Sequence, residues 1–149
     1  MATTSTLGTA RVALKTAMDT GALSGNVHYA WPGPLADKPE VVWIGDVKNW
    51  TQAIAGLKAG RKMRQEEYTF EVILWVYDAT LDSTGAQTVF ERALVLAAVI
   101  ESALAADVLI GTTVLQWVTL EERVIDLFPY EKSWACQIKL SIECNARLT

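Results

Sequence analysis

One histidine stands in the whole sequence, His28, and that scarcity removes much chemistry at once. No Cys, Asp or Glu lies beside it at a metal-ligand spacing, so zinc is not expected and His28 reads as a structural residue. A Ser/His/Asp triad would have to use it, and no G-x-S-x-G elbow exists to present a nucleophile. Phosphate-loop and dinucleotide fingerprints are absent as well. Cysteine is nearly as scarce, with Cys136 and Cys144 alone. Two cysteines do not make a secreted disulfide framework. On one strand they would share a face about 27 Å apart, far outside the roughly 7 Å that a disulfide spans. They are expected as buried free thiols. The longest unbroken apolar run, Ala93 to Ile100, is well short of the roughly 20 residues a bilayer needs. The opening MATTSTLGTARVALK has no apolar stretch behind a basic start, so no secretory leader and no membrane partner are expected. Net charge is −4 and the pI about 5.0, which argues against a surface that binds nucleic acid as a whole.

The sequence does have a core. Apolar residues make up 51% and charged residues 20% of 149 positions, a composition that excludes intrinsic disorder. The length suits one domain, 1–149, burying roughly 70% of the surface of its unfolded chain. Six tryptophans serve either core packing or an extensive protein interface.

Periodicity places the elements. Leu7, Ala10, Leu14, Ala17 and Met18 recur at helical spacing, giving a helix over Thr4 to Thr20 that Gly21 stops. Val27 to Trp31 reads as a short strand ended by Pro32-Gly33-Pro34. Glu40 to Ile44 reads as a second strand closed or bulged at Gly45. From Asp46 to Gln65 the pattern is irregular, DVKNWTQAIAGLKAGRKMRQ, and reads as an extended loop or hairpin arm. Glu67 to Tyr77 is the clearest central strand. Phe70, Val72, Leu74 and Val76 share one face, and Ile73, Trp75 and Tyr77 share the other. Helices are expected over one face and a neighbouring subunit over the second. Thr84 to Gln87 has the form of a capping box, with Asp82 and Ser83 as alternative caps. The helix behind it runs to about Ala106 on a stripe of Val89, Ala93, Leu96, Ala97, Ile100 and Leu104. Thr113 to Ile125 and Ser133 to Asn145 are the last strands, with Phe128-Pro129-Tyr130 as the turn. The order α-β-β-β-α-β-β defines an α+β fold, an antiparallel sheet with two flanking helices.

Little of this is chemical. In Glu66-Glu67 and Glu121-Glu122 adjacent strand residues face opposite ways, poorly placed for shared acid–base work. They read as solvated strand ends or inter-subunit ion pairs. Lys58, Arg61, Lys62 and Arg64 form the one local charge cluster, either a solvated loop or a contact with an acidic surface or passing nucleic acid. Trp50 precedes it as a candidate interface anchor.

Taken together, Tyr29-Ala-Trp-Pro-Gly33, Val42-Trp-Ile-Gly-Asp46 and Arg64-Gln-Glu-Glu-Tyr-Thr-Phe70, followed by a Gly-Ala-rich capped helix and an alternating last strand, resemble tail-terminator and tail-completion proteins of long-tailed, non-contractile phages. The likeness runs from the first helix to the last strand, and its motifs are structural. It implies a hexameric ring that caps the tail tube, ends tube polymerisation and meets the head–tail connector or stopper. DNA would pass through the lumen without sequence-specific binding, in a virion assembled in the host cytoplasm. No catalytic residue, cofactor or metal is implied. The segment Trp50 to Arg64 corresponds by position to a variable loop facing the lumen or an axial partner. Other neck proteins, such as head-completion or stopper subunits, share size, acidity and symmetry. A small enzyme or ligand-binding α+β domain is the rival from another class.

Overall fold

The computed structural model describes residues 5–35, 38–58, 61–78, 85–107, 109–112 and 115–148, with the backbone alone for 54–58, 61–63 and 148. Helix α1 (Leu7–Met18) leads into strand β1 (Val27–His28), then β2 (Glu40–Lys58), β3 (Arg61–Tyr77), helix α2 (Gly85–Ala106), β4 (Leu115–Tyr130) and β5 (Ser133–Leu148). This is the expected α+β order. The five strands form one sheet in the order β1-β2-β3-β5-β4. All neighbours are antiparallel except β1 and β2, which run parallel.

Both helices lie on one face of the sheet. Ala10, Leu14 and Met18 of α1 are buried one turn apart, and α2 buries Val89, Ala93, Leu96, Ala97, Ile100 and Leu104. The latter set is the expected stripe. These side chains pack on Phe70, Val72, Leu74 and Val76 of β3 and on Cys136, Ile138, Leu140, Ile142 and Cys144 of β5. The two inner strands therefore supply the floor of the core. Their strict alternation is a consequence, since one register slip would turn every one of these residues to the other face. Arg92 on α2 reaches Glu40 at the start of β2 through two bonds of 2.6 and 3.1 Å. The anticipated capping residues Asp82, Ser83 and Thr84 lie outside the described residues.

Four boundaries differ from the sequence reading, each for a physical reason. Helix α1 ends at Met18, short of Thr20, where Asp19 Oδ1 accepts the Gly25 N–H at 2.7 Å and Gly21 takes φ 55°. Strand β1 ends at His28 because Arg11 occupies the carbonyls where a ladder would continue. Its guanidinium donates to Tyr29 O at 2.9 Å, Ile44 O at 2.9 Å and Gly45 O at 3.0 Å, and it stacks 4.7 Å from the Tyr29 ring. The segment 46–65, expected as an extended loop or hairpin arm, is a hairpin of two paired strands. Register shifts at Ile44/Val47, Lys48/Thr51 and Ile54/Gly56 reset its alternation, which is why no period-two pattern shows. Strand β4 continues through Phe128-Pro129-Tyr130, and the turn is Glu131-Lys132, where Glu131 takes φ 51°. Pro129 is tolerated because β4 is an edge strand and needs no outward N–H.

Gly45 marks a close approach within β2. A Cβ there would lie 2.9 Å from Ile73 Cδ1 and 3.4 Å from the Glu71 carbonyl. A side chain there would fit only if the tip of Ile73 turned aside, since the backbone of β3 is already at ordinary contact distance.

Candidate interface

The sheet face opposite the helices is apolar at one end and polar at the other. Val41, Trp43, Ile73, Trp75, Tyr77 and Ala135 are buried there as a second cluster, with Leu35, Phe128 and Tyr130 packed against it. Trp75 meets Tyr130 edge-on at 4.9 Å, and Tyr77 meets the same ring at 5.1 Å. Such edge-to-face pairs add stability beyond the area they bury. The Trp75 indole N–H is nevertheless buried without an acceptor among the described residues. Farther along, this face carries Lys48 paired to Glu71 at 2.7 Å, then Glu67, which accepts from Asn145 at 3.0 Å. Glu143 is held up at about 7 by its hydrogen bond with Glu121, by burial and by the charge of Glu121 and Glu67.

Trp50 sits in a bulge of β2, next to Asn49 with its φ of 55°. Its ring is 52% exposed, yet its N–H donates to Glu66 Oε2 at 2.8 Å. Glu66 itself is fully buried. Thr6 gives it a backbone N–H at 2.7 Å and a hydroxyl at 2.6 Å, and Gln52 gives an amide at 3.0 Å. Burial alone would raise this carboxyl, but the bonds from Thr6, Gln52 and Trp50 outweigh it and hold the group at about 2. The carboxylate also lies at the N-terminus of α1, where the helix presents unpaired N–H groups and partial positive charge. Glu66 is thus a clasp that fixes the helix start, the bulge and the exposed indole in one place. Tyr68 completes it, 2.9 Å from the Thr6 hydroxyl, with burial pushing its phenol up.

Of the candidate contact residues, Trp50 and Arg64 are exposed, and Arg64 pairs in register with Leu148. The side chains of Lys58, Arg61 and Lys62 lie outside the described residues. Their backbones form the last pairs of the arm, Lys58↔Arg61 and Leu57↔Lys62. The reading of Glu66-Glu67 as solvated strand ends fails at Glu66, which is buried and saturated with donors. Nothing in its local sequence signals this, because its partner Thr6 is sixty residues away. The imperfect alternation of Thr113 to Ile125, a pattern that suits an interface strand, goes with a β4 in which residues 121–127 are all exposed, among them Val124, Ile125 and Leu127. Of the tryptophans, Trp43 and Trp75 are buried, as the core reading expects, whereas Trp31, Trp50 and Trp117 are exposed. The thiols of Cys136 and Cys144 are free and buried, and burial pushes them up to about 11 and about 12.

Surface clefts of about 410 and 380 Å³ lie beside Val95, Val99 and Ser102 and beside Arg11, Trp31 and Glu71. Neither gathers a nucleophile with a base. Among the described residues no group of three or more His, Cys, Asp or Glu is placed to hold a metal ion, and no helix is long and apolar enough to cross a membrane.

The architecture has a counterpart among solved structures. Its fold is that of a chain in a virus-like particle. That chain belongs to a structure described as the virion of a native gene transfer agent (GTA) particle, with a TM-score of 0.56 and 20% identity. The match covers 97% of this chain and 99% of the other. At this identity the likeness is one of fold. No family model and no curated protein matches the sequence.

Proposed function

We propose that this chain is a structural virion subunit of the tail terminator kind, a ring-forming protein that caps the tail tube and ends its growth. The observation that carries the reading is the end-to-end match with a chain of a gene transfer agent virion. An unrelated domain of the same class would be expected to match over part of its length. The surface supports the same role. The apolar residues on both faces of β3 are buried within the chain itself, but the β4 edge is exposed and partly apolar, and no constellation for catalysis is assembled among the described residues.

In this reading the work is steric. One ring surface imitates the next layer of tube and the opposite surface accepts none, so the contact stops after a single layer. The partners are other copies of the chain, the tube protein and the connector or stopper, with DNA crossing the lumen. Closing the ring would also remove free sheet edges that otherwise invite aggregation.

Removing the gene from the particle-producing cell and imaging the tails by electron microscopy tests this. Tubes of irregular, excessive length that fail to join heads are the expected result. Tails of normal length joined to filled heads would refute it, and tails of normal length left unjoined would reassign the chain as a stopper.

A further inference from the structure

We propose that the outer edge of β4 in one copy of this chain receives the basic β2–β3 arm of a second copy, so that subunits join head to tail through two different sheet edges. The inference rests on the ring-forming reading above and adds which surfaces meet.

The two ends of the sheet are finished differently. On the β2 side, β1 pairs with Val42 and Trp43, and Arg11 then takes the carbonyls of Ile44 and Gly45. Beyond that cover, from Asp46 to Lys58, β2 pairs only with β3 among the described residues. The hairpin continues past Arg64↔Leu148, the last pair with β5, to Lys58↔Arg61, which projects it about 10 Å beyond the sheet at the usual rise. On the other side β4 is terminal and pairs only with β5. A long edge strand offers its outward N–H and C=O groups to another chain. Here they are accompanied by Val124 at 43%, Ile125 at 40% and Leu127 at 39% exposure.

Charge selects the pairing. The β4 strand carries Glu121, Glu122 and Asp126 against Arg123, and Arg123 is already bonded to Glu101 at 3.0 Å. The arm carries Lys48, Lys58, Arg61, Lys62 and Arg64 against Asp46, Glu66 and Glu67; Lys48 is already bonded to Glu71 at 2.7 Å and Glu66 is buried, so the excess of positive charge lies towards the tip, in Lys58, Arg61, Lys62 and Arg64. Two β4 edges brought together would set acid against acid, and two arms would set base against base, both repulsive. The arm on β4 is the complementary combination, and it is heterologous by construction. A heterologous contact yields a ring when its rotation closes. Within the sheet β4 runs antiparallel to β2, so adding the neighbour's β2 beyond β4 continues the antiparallel order. Nucleic acid would satisfy the arm alone and leave the acidic, partly apolar β4 edge unexplained.

The test mixes unlabelled and nitrogen-15-labelled full-length protein, free and in assembled particles, and couples amines to carboxylates with a carbodiimide. Mixed-isotope peptides should link Lys58 or Lys62 to Glu122 or Asp126. Variants give an independent reading. Glu122→Lys with Asp126→Lys, and separately Lys58→Glu with Arg61→Glu and Lys62→Glu, should each weaken self-association by about ten-fold or more, and both sets on one chain should restore most of it. Links between chains confined to other residues, or no rescue in the combined variant, would overturn the edge assignment while leaving the ring standing. A chain that is monomeric both free and in particles would remove the ring reading as well.

Discussion

Strand β3 contains two regions that share a backbone and little else. From Tyr68 to Tyr77 it is buried on both faces, with α1 and α2 on one side and the aromatic cluster of Trp43, Trp75 and Tyr77 on the other. From Arg61 to Glu67 it forms the arm with β2, where β2 carries the bulges, and Arg64 lies in solvent. Glu66 stands at the junction. The inner half gives the molecule its stability, and the outer half offers surface that the fold does not need. The clasp at Glu66 keeps the second in fixed relation to the first.

That contrast orders the effects of substitution. Phe70→Ala removes a ring that is fully buried under the helices and should cost about 3–5 kcal/mol in urea unfolding. A loss below about 1 kcal/mol would mean that β3 is not the core strand. Glu66→Ala strands the donors of Thr6, Gln52 and Trp50 and should cost about 2–3 kcal/mol. Glu66→Gln, which keeps the shape and one acceptor, should cost less and leave the fold intact.

The carboxyl of Glu66 also predicts a pH dependence. Its folded-state value, about 2, lies below the usual glutamate value near 4.3. Its contribution to stability is therefore complete above the unfolded value and is lost as pH falls from there toward about 2. Denaturation midpoints should decline over that window in the native protein and decline less in Glu66→Gln. An equal decline in both would place the acid sensitivity elsewhere.

Smaller effects test the edges of the comparison. Cys136 and Cys144, both buried with raised thiol values, should react with a disulfide reagent orders of magnitude more slowly in the native state than in urea. Fast labelling of the folded protein would mean that β5 opens readily. At the other extreme, replacing Lys58, Arg61, Lys62 and Arg64 together by Ser should shift stability by no more than about 0.5 kcal/mol, yet reduce self-association. A large loss of stability would erase the distinction between core and arm.

The same division explains what was legible in the sequence. The alternation of Trp134 to Cys144 and the stripe of α2 were plain because each element has one face in the core, and burial writes its period into the residues. The distal half of β2 was illegible as strand because each bulge shifts the register. Strand β4 was only half legible because it is an edge strand with a shift at Leu120/Glu122 and exposed residues on both faces. Pro129 read as a turn for a sound local reason, and the edge position overrode it. Of the candidate contacts, Trp50 is exposed, and its anchoring by Glu66 depends on a helix terminus far away in sequence. Tertiary proximity of that kind leaves no local signal.

On the proposed function, this chain occupies one layer at the end of a tail tube. Electron cryomicroscopy of intact particles from the cell that encodes it, with the chain carrying a short C-terminal tag for antibody labelling, tests that most directly. The expected result is density for a single closed ring of this fold between tube and head, with label at that level alone. Label repeated along the tube, or absent from the particle, would contradict it.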